Sequence, residues 1–253
     1  MKLPIAAQVY SLREAAAADF DKTMGQLAQM GYDGVELAGL YGKSAQEIRA
    51  CLKRHGLQAI SAHVPYEELV NHTEETVRTY QEIGCRFVAI PGLGKDDWYG
   101  GGRYGQTIQN IAKISEACKK AGMCLLYHNH DFEFEKTAEG AYQLDAFYEA
   151  VPASDIQTQL DLCWVQVGGA DPAAYLRKYS GRCPLVHVKD YIRKDGEVLQ
   201  VAVGDGEVDM PAVVSAAVDS GAVWIVIEQD DHPFAAPMEN MERSLKKVRE
   251  CLG

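Results

Sequence analysis

Polar side chains that can bind metals or move protons follow short apolar runs at seven places in this sequence. They include four of the seven histidines, and they stand at Gln8 and Tyr10, Glu36, His63, His128 and His130, Asp161, His187 and Lys189, and Glu228. If the runs are neighbouring strands, Asp161, Glu228 and the imidazoles meet at one end of a sheet, where they would repel one another or stay unpaired without a cation. The set therefore predicts one divalent metal ion. Mixed nitrogen and oxygen ligands suit Mn²⁺, Co²⁺, Fe²⁺ or Zn²⁺ better than Ca²⁺ or Mg²⁺.

The two-residue period of a strand indicates which of these side chains share a face. In LVHVKD, His187 and Lys189 lie on one face, and in YHNH the same alternation brings His128 and His130 together. Asp161 ends a run immediately before LCW, so its carboxylate leaves the strand where the chain turns. Two interpretations of Lys189 stay open, a contact to a substrate oxyanion or an ion-pair partner of a carboxylate.

Eight apolar or β-branched runs alternate with stretches of helical periodicity, which is the pattern of a chain of βα units. Eight such units predict an α/β fold, the closed (β/α)₈ TIM barrel, as a single domain over residues 1–253. In such a barrel the functional groups lie at the carboxyl ends of the strands. An open doubly wound sheet is the alternative, but SLR follows the first run where a dinucleotide-binding domain would carry GxGxxG.

Local signals predict several boundaries. Ser44 and Glu47 form a capping box at the start of a helix, and one continuous helix is expected over 67–83. The stretch DYIRKDGEVLQVAVGDGEVD is expected to be a long loop with a small hairpin at Asp195 and Gly196. GGGRYG, at 100–105, is expected to be a turn or a flexible lid.

Composition and charge exclude several classes of protein. The 253 residues are 47% hydrophobic and 24% charged, so the chain can form a packed core. A net charge of −11 argues against binding to nucleic acid or to a membrane surface. The sequence lacks a spanning segment and a recognisable signal peptide, so we expect a cytoplasmic protein. Its seven cysteines contain no CxxC pair and are expected to be reduced thiols.

Four residues are candidate substrate contacts, and two interpretations stay open for each of two of them. Gln8 and Tyr10 follow the first run, and Glu36 follows the second. Glu36 is either a substrate contact or a structural acid that bonds loop amides. Trp98 is either part of a lid that stacks on a sugar ring or a loop aromatic in satellite packing.

Motifs along nearly the whole chain resemble those of the xylose-isomerase-like TIM-barrel superfamily. They are QVYSLR, GYDGVELAGLYG, SAHVP, PGLG, YHNHDFEF, LDLCWVQVGGADP, HVKD, GDGEVD and WIVIEQD. This superfamily comprises sugar phosphate isomerases and epimerases and also includes inosose dehydratase, tagatose 3-epimerase and endonuclease IV. The order LDLCW, HVKD, IEQD is specific for the superfamily and less so for any one reaction.

The resemblance implies one divalent metal held at the ends of strands five to eight, where relatives commonly carry Glu, Asp, His and Glu. Carried over by position, the ligands are His128, Asp161, His187 and Glu228. The first departs from the common pattern and is similar to inosose dehydratases, and it leaves open whether His128 or His130 binds the metal. Trp164 stands where endonuclease IV relatives carry a further metal-binding histidine, which argues against a DNA-repair enzyme.

The resemblance and the candidate residues predict a metal-dependent isomerase or epimerase of a sugar or keto-sugar that acts through an enediolate. Glu228 or His130 would take the proton next to the carbonyl, and Lys189 or His63 would hold an oxyanion or protonate a leaving oxygen. A lyase that dehydrates a keto-cyclitol or keto-glycoside is the alternative, and a non-catalytic sugar-binding barrel is another. The expected partner is a small sugar, with no nucleic acid and no membrane, and homo-oligomer formation is left open.

Overall fold

The computed structural model describes residues 2–253, and its central feature is a closed barrel of eight parallel strands. These are β1 (Ile5–Gln8), β2 (Gly34–Ala38), β3 (Gln58–His63), β4 (Phe87–Ile90), β5 (Cys124–His128), β6 (Gln157–Asp161), β7 (Leu185–Val188) and β10 (Trp224–Ile227). Around the barrel the order is β1-β10-β7-β6-β5-β4-β3-β2. The predicted (β/α)₈ TIM barrel is confirmed.

Helices cover the outside of the barrel, and the main core lies between them and the strands. The helices are α1 (Arg13–Ala18), α2 (Phe20–Met30), α3 (Ala45–His55), α4 (Tyr66–Asn71), α5 (Thr73–Ile83), α6 (Tyr104–Lys120), α7 (Gln143–Ala150), α8 (Leu162–Val167), α9 (Pro172–Lys178), α10 (Met210–Asp219) and α11 (Pro237–Leu252). Short 3₁₀ turns follow β1 and β5, at Val9–Leu12 and Phe132–Phe134. The capping box of Ser44 and Glu47 begins α3 as predicted.

The continuous helix expected over 67–83 is wrong. His72 leaves the helical conformation, with φ −135° and ψ 35°, and separates α4 from α5. The Thr73 hydroxyl donates to the Leu69 carbonyl oxygen at 2.6 Å. In an unbroken helix the backbone N–H of Thr73 would donate to that same oxygen, so the side chain takes the place of the backbone donor. Local competition of this kind is not visible in the apolar spacing.

The barrel interior is layered. Its apolar layer consists of Ala6, Ile60, Ala89, Leu126, Leu185 and Val226. Two residues farther along β1, β5, β7 and β10 the inward side chains are polar, at Gln8, His128, His187 and Glu228. Because side chains alternate along a strand, both layers point into the barrel, and the polar one lies at the carboxyl ends.

The long loop after β7 contains the predicted hairpin. Strands β8 (Asp190–Lys194) and β9 (Glu197–Val201) pair antiparallel, and Asp195 and Gly196 turn between them with φ of 53° and 85°. The loop after the hairpin folds onto the Asp190 carboxylate, which accepts the amides of Gly204, Gly206 and Val208. A Cβ at Gly206 would lie 2.2 Å from Asp190 Oδ1, so only glycine fits there.

The helices of residues 2–253 are too short or too polar to cross a bilayer. All seven cysteines are free thiols, as the sequence predicts.

Candidate active site

A cleft of about 520 Å³ opens at the carboxyl ends of the strands and touches the polar layer. Its lining combines predicted site residues with others that the sequence did not single out. The predicted ones are Tyr10, His63, His128, His130, Lys189 and Glu228, and the others are Ala38, Gly39, Pro65, Glu68, Tyr80, Pro91 and Asp230. The structure therefore brings six of the predicted side chains to one pocket.

The four predicted metal ligands form one cluster. His128, Asp161, His187 and Glu228 are all buried, and one ligand atom of each lies within 4.8 Å of the other three. One atom of this group, His128 Nδ1, is buried without a hydrogen-bond partner among residues 2–253, and Asp161 Oδ2 forms an ion pair with Lys189 but no hydrogen bond within the same residues. Buried polar atoms without partners are costly, so a mixed set of imidazoles and carboxylates in this state fits a divalent transition-metal ion.

Asp161 has a local reason for its position. It ends β6 and serves as the N-cap of α8, because its Oδ1 accepts the amides of Cys163 at 3.0 Å and Trp164 at 3.1 Å. This cap leaves Oδ2 directed at the cluster, 3.9 Å from His128 Nε2 and 3.2 Å from Lys189 Nζ. One carboxylate oxygen of Asp161 thus belongs to the helix cap, and the other belongs to the cluster.

Lys189 places one ammonium group among three carboxylates. Its Nζ lies 3.2 Å from Asp161 Oδ2, 3.0 Å from Glu228 Oε2 and 2.8 Å from Asp230 Oδ2. Burial disfavours its charge, but these carboxylates outweigh burial and hold the pKa of Lys189 well above its usual value. The hairpin completes the arrangement, because Gln200 Nε2 donates to Asp230 Oδ2 at 2.6 Å. The ion-pair interpretation of Lys189 describes its contacts in the structure.

Glu36 lies beneath the pocket, at the level of the cluster, and is fully buried. Gln8 Nε2 donates to Glu36 Oε1 at 2.7 Å, and Gln159 Nε2 donates to Oε2 at 2.5 Å. His187 Nε2 and His63 Nε2 lie 2.7 Å and 3.1 Å from Oε1. Gln8 and Glu36 therefore contact other site residues and do not line the pocket, so their roles as substrate contacts stay predictions.

The imidazoles fall into two groups by protonation. Burial opposes a charge on His187, yet Glu36 and Glu228 outweigh it and raise its pKa to about 10. Burial also opposes a charge on His63, but Glu36 raises the pKa of that imidazole. In contrast, burial and the nearby Lys189 charge lower the pKa of His130 to about 4. At neutral pH the site of the metal-free protein thus contains a neutral imidazole, His130, and a protonated one, His187.

His130 is held by a buried carboxylate that sequence reasoning missed. Glu133 Oε2 accepts the His130 amide at 2.8 Å, and Glu133 Oε1 accepts the Tyr127 hydroxyl at 2.9 Å. Burial raises the pKa of Glu133 to about 8. The His130 ring stacks near Phe132 and leaves its Nδ1 without a hydrogen-bond partner among residues 2–253.

The two aromatic residues that were predicted to contact substrate differ in their surroundings, because Tyr10 lines the pocket and Trp98 does not. Tyr10 is 43% exposed, lines the pocket and carries the Arg13 guanidinium 4.4 Å from its ring centre. Trp98 is 5% exposed, stacks on Tyr127 with ring centres 5.4 Å apart, and donates its indole N–H to Gln143. Trp98 lies outside the pocket lining, and the packing alternative describes its contacts.

Fold and site together define a class: a (β/α)₈ barrel with a histidine and carboxylate cluster at the carboxyl ends of its strands. The family model "Xylose isomerase-like TIM barrel" matches residues 24–251. The chain therefore belongs to this family, as the sequence motifs imply.

Relatives within this class have different activities. The inosose dehydratase of Geobacillus kaustophilus is 22% identical over 85% of this chain and 82% of that protein. A sugar phosphate isomerase/epimerase of Parabacteroides distasonis has a TM-score of 0.81 and 21% identity, over 100% of this chain and 96% of that one. An L-ribulose 3-epimerase has a TM-score of 0.77 and 17% identity, over 100% and 95%. At these identities the two solved structures show the fold alone.

Proposed function

We propose that the protein is a metal-dependent lyase that removes water or an alcohol from a keto-cyclitol or keto-sugar. The observation that carries this proposal is the pair of imidazoles, His128 at the end of β5 and His130 two residues beyond it, in the pocket lining. The epimerase mechanism uses glutamates on opposite faces of the substrate, and this chain has His128 at the end of β5, where relatives commonly carry a glutamate. The inosose dehydratase relatives support the same class of reaction.

His128, Asp161, His187 and Glu228 are the residues that would hold the metal. Their clustered ligand atoms support this assignment. When bound, such an ion stabilises the negative charge that develops on the substrate carbonyl. Mn²⁺, Co²⁺, Zn²⁺ and Fe²⁺ all suit this set of ligands.

The chain's own residues supply a base and an acid. His130 is neutral and lines the pocket, so it takes the proton from the carbon next to the carbonyl. His63 lines the same pocket; burial opposes its charge, but Glu36 raises its pKa, so His63 is the acid that gives a proton to the oxygen that leaves from the next carbon. The carbon–oxygen bond breaks, water or an alcohol departs, and an unsaturated ketone remains. Burial opposes the charge of Glu228, but Lys189 and His187 hold the pKa of that carboxyl well below its usual value, so Glu228 stays ionised.

The pocket favours an uncharged polyol as substrate. Among its lining residues in the described chain, Lys189 is the one lysine or arginine, and its ammonium is already shared by three carboxylates. Glu68 and Asp230 add negative charge to the lining, which disfavours a phosphate ester. Tyr10 offers an exposed aromatic face for a sugar ring.

Proton exchange and elimination can be measured in one experiment. The metal-loaded protein is incubated in D₂O with a panel of inososes, keto-glycosides and ketoses, and NMR follows deuterium incorporation and product formation. We expect loss of the proton next to the carbonyl together with an unsaturated ketone, and loss of both in His130→Ala. Exchange that yields a ketose or an epimer without elimination would contradict the lyase and support an isomerase or epimerase. Neither exchange nor product with any compound would support the non-catalytic barrel.

Isomerisation or epimerisation is the second candidate. It shares the first proton transfer, and the pocket contains Glu228, whose Oε2 is engaged by His187 and Lys189 while the carboxylate still reaches the pocket surface. The fold shared with the L-ribulose 3-epimerase agrees with this alternative.

A further inference from the structure

A second group of metal-ligating side chains lies away from the barrel mouth, between α2 and α3. Asp21 of α2 faces Cys51 and His55 of α3, which are four residues apart and share one face of their helix. Cys51 Sγ lies 3.2 Å from Asp21 Oδ1, and His55 Nε2 lies 3.0 Å from the same oxygen. Cys51 is buried, and the other two side chains reach solvent.

These separations are close to those that a single bound ion requires. A tetrahedral Zn²⁺ with bonds of about 2.0–2.3 Å places its ligand atoms about 3.3–3.5 Å apart. The thiol, imidazole and carboxylate atoms here all lie within 4.8 Å of one another, so they can reach one ion through small side-chain movements. The backbone also makes room for the imidazole, because a Cβ at Gly25 would lie 3.1 Å from His55 Cε1.

We propose that Asp21, Cys51 and His55 form a second metal site, for a borderline cation of the Zn²⁺ and Co²⁺ class. A thiolate with an imidazole selects such ions over Mg²⁺ and Ca²⁺. Binding releases the Cys51 thiol proton to solvent, so affinity rises with pH. The ion links two neighbouring helices of the outer layer and leaves one coordination position for water. This site is independent of the function proposed for the barrel mouth.

Arg54 provides an internal competitor for this site. Its guanidinium forms an ion pair with the same Asp21 oxygen, and its side chain is 61% exposed. A positive charge beside a cation site weakens binding, and an exposed side chain can turn away at little cost. Arg54→Met therefore removes the competitor and tightens metal binding.

Cobalt titration tests the proposal, because a thiolate ligand gives Co²⁺ a sulfur-to-metal charge-transfer band in the near ultraviolet. The four donors at the barrel mouth contain no thiol, so the band does not arise from that cluster, and Cys51→Ala distinguishes Cys51 from the other six cysteines. The titration uses the full chain under reducing conditions in an Asp161→Asn background, which weakens the barrel-mouth cluster. We expect one saturable band, its loss in Cys51→Ala, affinity about 100-fold lower in His55→Ala, and higher affinity in Arg54→Met.

Thermal unfolding gives a second measurement on the same variants. Saturating Zn²⁺ should raise the midpoint of the Asp161→Asn protein by about 5 °C, and the further change Cys51→Ala should abolish the rise. The absence of a charge-transfer band, or a band that persists in Cys51→Ala, would overturn the proposal. So would metal affinity that is unchanged in both His55→Ala and Arg54→Met.

Discussion

Lys189 Nζ lies 2.8 Å from Asp230 Oδ2, two residues beyond a predicted metal ligand. The same ammonium lies 3.0 Å from Glu228 and 3.2 Å from Asp161. One buried cation thus compensates carboxylates that would also bind a metal, and it repels that metal. Lys189→Met should lower the stability of the metal-free protein by about 3–5 kcal/mol, because it leaves buried carboxylates without a partner.

The same variant should bind Mn²⁺ more tightly than the wild type and should gain more stability on binding it. Calorimetric titration with Mn²⁺ and thermal unfolding with and without the ion measure the two effects. Lys120→Met is the control, since Lys120 forms an exposed ion pair with Glu116 on α6 and should change neither quantity by much. Weaker Mn²⁺ binding in Lys189→Met would show that Lys189 does not compete with the ion.

Two substitutions of Asp161 should separate the effect of its charge on metal affinity from the effect of its helix cap on stability. Asp161→Asn keeps an oxygen that can accept the amides of Cys163 and Trp164 but removes the charge, so metal affinity should fall about 100-fold or more with little loss of stability. Asp161→Ala also removes the cap and should cost about 1 kcal/mol more. Calorimetric metal titration and urea unfolding separate the two effects.

Asp171 offers a matched cap without a metal role. Its Oδ1 accepts the Ala174 amide at the start of α9, on an exposed part of the chain. Asp171→Ala should lower stability by about 1 kcal/mol and leave metal binding intact. Equal metal affinity in Asp161→Asn and the wild type would refute Asp161 as a ligand.

Most of the polar layer could be predicted because it depends on local pattern. His187 and Lys189 alternate with valines, and Asp161 ends an apolar run, so strand period and barrel geometry were sufficient to place them. Asp230 follows the same two-residue rule beyond Glu228, but it lies past the strand end, and a loop acid there has no distinguishing signal. Gln200 reaches Asp230 only through the folded hairpin.

Other site features depend on tertiary contacts that the sequence does not encode locally. The barrel register shifts between Val35 and Glu36, where β2 meets β3. Glu36 is fully buried with Gln8 and Gln159 as donors, although glutamate at a strand end is also common on protein surfaces. Sequence reasoning consequently left its substrate and structural interpretations open.

Substitution of Tyr10 should affect KM, whereas substitution of Trp98 should affect stability. Tyr10→Ala removes an exposed face from the pocket and should raise KM about 3–10-fold, with stability nearly unchanged. Trp98→Ala removes a buried ring that stacks on Tyr127 and should lower stability by about 3–5 kcal/mol. Steady-state kinetics on an active substrate and urea unfolding measure the pair. A large KM effect from Trp98 with unchanged stability would favour the lid instead.

Glu133 should make stability depend on pH in a defined direction. Burial raises its pKa from 4.5 to about 8, so between these values the folded protein binds more protons than the unfolded chain. The free energy of unfolding therefore decreases as pH rises from about 4.5 to 8, and this contribution levels off above 8. The loss amounts to a few kcal/mol.

Glu133→Gln should remove this pH dependence of stability, because the glutamine side chain stays neutral. Its amide N–H can donate to the Tyr127 hydroxyl, and its amide oxygen can accept the backbone N–H of His130. We expect the variant to match the wild type at pH 5 and to exceed its stability at pH 9, as measured by urea unfolding of the metal-free proteins. Glu135→Gln is the matched control, since it makes the same charge change at an exposed position. Glu135 directly follows the 3₁₀ turn Phe132–Phe134. Parallel stability curves for wild type and Glu133→Gln would mean that Glu133 is ionised in the folded protein throughout this range.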